Sequence, residues 1–221
     1  MKLLYVEIAR TIWLFDASTL NPQGLSLDPM LKGINERYGF AKSPKNALDF
    51  NSQGALAFEQ GSFNNSQGKA VAVTLTIYSD GLVADTQSNT RDATEFLNEL
   101  CASATKEFGL VDPSSGTLRT GFFSQLDVRF DKPLVSLNPK LEAILEMLEA
   151  HCNPVDTKRR KFTVGGIGIW TEDMSLPGSP AAFRLERKWG TPWDTNHYFS
   201  TAPLETNDHL QVLTEIEKIL P

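Results

Sequence analysis

The sequence predicts an α+β fold, with a largely antiparallel β-sheet and three to four amphipathic helices packed mainly on one face. Three times along the chain, a strand-like run with period-2 alternation leads into an acidic amphipathic helix, at residues 71–106, 122–151 and 162–220. Turn residues such as Asp80-Gly81 favour antiparallel pairing, because parallel strands require a long crossover connection. Helices that carry one apolar stripe bury it against a sheet face.

The length and charge of the chain limit the classes of protein that it can belong to. We expect one domain over residues 1–221, with a two-lobed arrangement divided near residues 111–120 as the alternative. The net charge of −6 disfavours non-specific binding to nucleic acid or to an anionic membrane. We find no signal-peptide pattern and no apolar run of ~20 residues, so a soluble, cytoplasmic protein that does not enter a membrane is expected.

The amino-terminal part predicts strands followed by a short helix. Residues 2–8 and 11–16 form one long strand or two short ones. The helix has Pro29 near its first position and ends at Gly39. Its predicted apolar face comprises Met30, Leu31, Ile34 and Tyr38.

Hairpins are predicted in the next part of the chain. Residues 47–50 and 55–60 are interpreted as a hairpin around a turn at 51–54. Residues 61–68 are rich in Asn, Ser, Gly and Gln, and they are predicted to be a mobile loop. Residues 71–77 alternate regularly and pair through Asp80-Gly81 with residues 82–86.

Each of the two helices that follow is predicted by a cap and an apolar stripe. The first begins at Asn89 or Thr90 and ends at Gly109, with Ala93, Phe96, Leu97, Leu100, Cys101 and Ala104 as its stripe. A strand at 122–130 separates it from the second, which begins at Asn138. The stripe expected to be buried in this second helix comprises Leu141, Ile144, Leu145 and Leu148. Cys101 and Cys152 are both predicted to be buried free thiols.

The carboxy-terminal part predicts strands at 162–170 and 181–189, a short strand at 195–200, and a final helix capped by Thr206. Residues 90–100 and 206–216 share the pattern T-x-D-x-x-x-φ-L-x-E-φ, where φ is apolar. One interpretation is an internal duplication. The other is convergence, because capped amphipathic helices independently favour Thr caps and spaced Leu residues.

Local motifs do not indicate a cofactor or a metal, and neither is expected. The glycines of Gly165-Gly166-Ile167-Gly168 lie inside a predicted strand, whereas a phosphate-binding loop needs them before a helix. They are better explained by close approach of another group. His151 and Cys152 are adjacent, and two further zinc ligands at a suitable spacing are missing.

Two sets of charged or aromatic side chains are candidates for function. Asp127 and Arg129 lie on one predicted strand, and Arg184 and Glu186 lie on another. If the two strands share a cleft, these side chains are candidate catalytic acid–base groups. Otherwise they form charge pairs on a solvated sheet face. The densest aromatic segment is residues 189–199. It is either a lid over the core or an exposed recognition surface, with Trp189, Trp193, His197, Tyr198 and Phe199 as the candidate binding residues.

Three function classes follow from these features. The first is a non-enzymatic protein-binding or assembly module, which either self-associates or joins a multi-protein complex. The second is a hydrolase or transferase that uses the carboxylate and arginine candidates. The third is a nucleic-acid-associated accessory protein, whose only basic run is Lys158, Arg159, Arg160 and Lys161. That run is also explained as a solvated strand edge.

Overall fold

The computed structural model of the chain describes residues 1–152, 161–173 and 179–221 and confirms the predicted α+β class. The strands are β1 (Lys2–Leu14), β2 (Leu56–Asn64), β3 (Ala70–Tyr78), β4 (Gly81–Thr86), β5 (Arg119–Arg129), β6 (Gly166–Ile169), β7 (Phe183–Arg187) and β8 (His197–Ala202). The helices are α1 (Asp28–Tyr38), α2 (Thr90–Phe108), α3 (Glu142–Cys152) and α4 (Thr206–Lys218).

These elements form two compact units. The first unit contains residues Val6–Ser124 and Pro203–Asn207, and its hydrogen-bonded strand order is β2-β3-β4-β1-β5. The second unit contains Met1–Tyr5, Gln125–Ala202 and Asp208–Pro221, and its strand order is β1-β5-β8-β7-β6. Strands β1 and β5 therefore each contribute residues to both units.

The first unit contains the elements with the strongest sequence signals. The β3–β4 hairpin turns at Asp80-Gly81, as predicted, and β4 pairs antiparallel with both β3 and β1. Helix α2 begins after the cap residue Asn89 and ends at Gly109, whose φ of 69° favours glycine. Helices α1 and α2 share one core with the buried side chains of this unit's strands. Phe96 is at its centre, with ring centroids 4.9 Å from Tyr38 and 5.4 Å from Phe63.

Strand β2 corrects the prediction for residues 47–68. Residues 47–50 do not form a strand, so the expected hairpin around 51–54 is wrong. The first half of the expected mobile loop, residues 61–64, is strand instead, because β2 pairs with β3 through Asn64. Gly61 has a packing role in this strand, since a Cβ there would lie 2.4 Å from the ring of Phe40. The chain turns later, at residues 65–69.

The second unit has a smaller core under α4. Leu213 of this helix is fully buried, and His209 places its Nε2 2.8 Å from Oγ of Ser200 on β8. The Phe183 ring packs edge-on against the His209 imidazole. Burial lowers the pKa of His209 to about 4. Ile219, the residue that follows α4, is exposed.

Helix α3 forms as predicted, but the prediction that its apolar stripe is buried is wrong. Ile144 is 52% exposed, and Met147 and Leu148 are also exposed. The prediction for Cys152, at the end of this helix, is also wrong because that thiol is exposed. Cys101 is buried as predicted, and burial, with a smaller effect of Asp112, raises the pKa of its thiol to about 12.

The chain repeats one order of elements. It runs β-α-β-β-β-α from β1 to α2 and again from β5 to α4. Helices α1 and α3 both have 11 residues, and strands β4 and β8 both have six. The residue after each repeat's first strand makes the same hydrogen bond: Phe15 N–H donates to Asp80 O, and Phe130 N–H donates to Asn196 O, both at 3.0 Å. Asp80 and Asn196 each precede the repeat's last strand.

The two helices with the shared sequence pattern also cap each other within the first unit. Thr90 N–H donates to Oγ1 of Thr206, and Thr206 N–H donates to Oγ1 of Thr90, each at 3.0 Å. Both threonines are buried. This reciprocity, together with the repeated order of elements, favours duplication over convergence.

Candidate functional site

The loop that joins β7 to β8 carries the most exposed aromatic side chains. It spans residues 188–196, whereas the first repeat joins β3 to β4 with only Ser79 and Asp80. Trp189 is 96% exposed and Trp193 is 58% exposed. Of the other predicted binding residues, Tyr198 is buried and His197 and Phe199 are half-buried. The predicted aromatic segment therefore divides into an exposed loop and a strand that contributes to the core.

Arg187, the last residue of β7, holds this loop in place. Its guanidinium donates to the carbonyl oxygens of Pro192 and His197 and to Oγ1 of Thr195. The same group lies 5.1 Å from the centre of the Trp193 ring and 5.5 Å from that of Tyr198. Because these contacts fix the loop before any partner binds, less conformational entropy is lost on binding.

A groove of about 670 Å³ lies beside Trp193 in the second unit. Its apolar wall is formed by Pro133, Leu134, Val135, Phe162, Val164, Trp193 and Tyr198. Lys161, Thr163, Asp194 and Asn196 supply the polar groups. A concave apolar wall with a few polar groups at its rim is typical of a binding site.

Asp127 is the most buried of the predicted catalytic residues, with a fully buried side chain. Its Oδ1 lies 3.1 Å from the Lys188 ammonium, and its Oδ2 lies 3.3 Å from Nε2 of His197. The second contact is close but is not aligned as a hydrogen bond. The Lys188 ammonium also lies 5.2 Å from the Phe199 ring and 5.7 Å from the Tyr5 ring. The buried carboxylate is therefore paired with an ammonium group that lies near two aromatic rings.

The repeat indicates that this charged cluster is not required by the fold. The hydrogen bond that the two repeats share aligns their positions. Asp127 lies three residues before the donor Phe130 and corresponds to Ile12, which lies three residues before Phe15. His197 follows the acceptor Asn196 and corresponds to Gly81, which follows Asp80. Neither residue of the first repeat is charged. Taking a carboxylate out of water costs desolvation free energy even when it is paired with a cation, so the second repeat carries a cost that the first repeat avoids.

The other predicted catalytic residues lie elsewhere. Arg184 and Glu186 share the exposed face of β7, with a contact of 3.8 Å between them. They line a pocket of about 520 Å³ with Gly165, Gly166, Gly168 and Trp170. Arg129, at the end of β5, is exposed. Neither Asp127 nor Arg129 lines that pocket, so the four candidates do not form one cleft there.

The basic run is only partly inside the described residues. Lys158, Arg159 and Arg160 lie outside them, whereas Lys161 is exposed and lines the groove beside Trp193. The nucleic-acid interpretation therefore remains a prediction. In the described part of the chain, no three His, Cys, Asp or Glu side chains are grouped closely enough to hold a metal ion. Within the same residues, no helix is long and apolar enough to cross a membrane.

Sequence reasoning missed the partners of Asp127 and the burial of His209. Lys188 lies 61 residues from Asp127, so no local spacing connects the two. The sequence did contain a signal for the burial of His209. This residue lies four positions before Leu213 and therefore on the same apolar face of the helix. No protein-family model and no curated protein matches this sequence.

Proposed function

We propose that the protein is a non-enzymatic binding or assembly module that recognises a protein partner, or a second copy of itself, through the loop at residues 188–196. The observation that carries the proposal is the exposure of Trp189 and Trp193 on a fixed loop, where the first repeat has a two-residue turn. A longer loop is not needed to connect the strands. Its length is therefore better explained by recognition than by folding.

The energetics of the loop favour this function. Tryptophan is enriched among the residues that dominate binding free energy, because it buries a large area with little loss of side-chain entropy. The Trp193 ring borders the 670 Å³ groove, so a partner would contact both the ring and the groove wall. A protein partner fits this surface best, since its apolar side chains would fill the groove.

The test is native mass spectrometry of the protein after gentle purification from its own host, with Trp193→Ala beside the unchanged chain. We expect added polypeptide mass, or an integral multiple of 24.5 kDa, that is reduced at least about tenfold in the variant. Phe50→Ala is the matched control, because Phe50 is 54% exposed but lies in the first unit. Equal complex in all three proteins, or no complex in any, would contradict the proposal. Thermal melting establishes that each variant is folded.

A second candidate, acid–base chemistry as a hydrolase or transferase, is supported by the buried contacts of Asp127 with Lys188 and His197. The same spectra test it. A small-molecule adduct on a monomer, lost in Asp127→Asn but kept in Trp193→Ala, would favour this candidate over the binding module.

A further inference from the structure

The outer edge of β6 presents backbone groups that no strand of the described residues binds. Arg187 N–H donates to Gly165 O, so residues 165, 167 and 169 direct their backbone groups towards β7. By alternation, the N–H and C=O groups of Gly166 and Gly168 point outwards. β6 is the last strand in the sheet order of the second unit. Its outer edge therefore has the hydrogen-bonding pattern that accepts another strand.

Strand β2, at the edge of the first unit, occupies the matching place in its repeat, and there the edge is interrupted. A register shift follows Phe58, and Gln60 adopts a φ of 59°, which is unusual for a residue with a side chain. Lys42 pairs with Glu59 through two backbone hydrogen bonds and a 2.7 Å ion pair. These features are typical of a protected edge. Among the described residues, β6 carries neither of them.

The small size of the β6 glycines allows a ring to pack directly over the strand. A Cβ at Gly168 would lie 2.3 Å from the Trp170 ring, so this ring packs directly over the glycine. Arg184, which pairs with Gly168 in register, places its guanidinium 5.9 Å from the same ring. The arginine therefore lies near the Trp170 ring, and it also lies 3.8 Å from Glu186 on β7. These residues line the pocket of about 520 Å³.

We infer that the outer edge of β6 binds an extended peptide segment of a protein partner, which adds as a strand and carries an acidic side chain beside Gly168. This inference rests on the proposed binding function but places a second contact away from Trp193. The backbone groups of Gly166 and Gly168 supply the hydrogen bonds of the added strand. Arg184 supplies the charge that selects the acidic side chain.

Geometry and charge support an acidic segment. Neighbouring strands lie about 4.8 Å apart, so an added strand would lie about 10 Å from β7. A long arginine side chain and a carboxylate can meet across that distance above the Trp170 ring, which covers Gly168. The pocket contains two arginines, Arg184 and Arg187, and one acid, Glu186. Arg187 already binds three loop oxygens, and the exposed side chain of Arg184 lies 3.8 Å from that of Glu186. A second copy pairing through its own β6 would offer only glycine and isoleucine, without a carboxylate.

The experiment selects binders from a displayed library of random peptides of about eight residues against the full-length chain. We expect enriched sequences with Asp or Glu at one fixed position among alternating apolar residues. The best synthetic peptide should bind Arg184→Gln at least about tenfold more weakly. Arg91→Gln is the matched control, since Arg91 is an exposed arginine on α2. Trp193→Ala should leave peptide affinity unchanged.

Backbone methylation of the same peptide tests the strand geometry. N-methyl groups on one alternating set of residues should abolish binding, and on the other set they should have little effect, because only one set faces β6. No enriched acidic pattern, equal binding by Arg184→Gln, or equal effects of the two methylation sets would overturn the inference. The proposed function would still stand if native spectra showed a complex that depends on Trp193.

Discussion

The two repeats share one order of elements but differ in how much of their surface is buried. In the first, α1 buries its apolar face, β3 and β4 meet in a two-residue turn, and the edge strand β2 is protected. In the second, α3 leaves its face exposed, the corresponding turn is a tryptophan-bearing loop, and no described residue protects the edge of β6 in this way. The first repeat shows that this order of elements can fold without an exposed helix face, a long loop or an unprotected edge. What the second adds is surface available for contacts.

The largest expected effect is a difference in the free energy of unfolding between a variant of α1 and a variant of α3. Ile34 and Leu148 both occupy the seventh position of their 11-residue helices, but Ile34 is 5% exposed and Leu148 is 42% exposed. Ile34→Ala should lower the free energy of unfolding by about 2–5 kcal/mol, because it leaves a cavity in the core. Leu148→Ala should lower it by less than about 1 kcal/mol. Urea denaturation measures both, and similar losses would mean that α3 is as well covered as α1.

The next effect is a pH dependence that belongs to the second unit. Since the pKa of His209 is about 4 in the folded protein and an unfolded histidine titrates near 6.5, the unfolded chain binds the proton more tightly. The stability contribution is fully present above about pH 6.5, falls as the pH drops, and is lost by about pH 4, for a total of roughly 3 kcal/mol. His209→Gln should flatten this part of the pH profile of urea denaturation. An unchanged slope in the variant would assign the effect to other groups.

The smallest effect tests the reciprocal caps of α2 and α4. Thr206→Val removes the acceptor for the buried N–H of Thr90, and we expect a loss of about 1–3 kcal/mol in the free energy of unfolding. Thr206→Ser keeps the hydroxyl and should lose less than about 1 kcal/mol. Equal losses in the two variants would show that the methyl group, and not the hydrogen bond, stabilises this contact.

The sequence predicted the parts of the fold that depend on local chemistry. Asp80-Gly81 marked a hairpin, and Asn89 and Gly109 marked both ends of α2, because turn and cap residues act over a few positions. The second part of β2, residues 61–64, was missed for the opposite reason. Its polar residues lack a strand signal of their own, and pairing with β3 and packing under Phe40 impose the conformation.

The candidate site was only partly predictable. The aromatic density of residues 189–199 identified the loop, but which rings are buried depends on the alternation of β8. The periodicity of α3 predicted a helix, yet burial of a stripe requires a partner surface that no helix can specify by itself. The enclosure of Asp127 by Lys188 and His197 depends on tertiary contacts over more than 60 residues.

The two thiols have a practical consequence for labelling chemistry. At neutral pH the Cys101 thiol is protonated because its pKa is about 12, and burial makes it inaccessible to reagents. The Cys152 side chain is exposed to solvent. A maleimide dye should therefore attach at a single site, at the end of α3, without any engineered cysteine. Its emission would report directly on whether another molecule covers the exposed face of that helix.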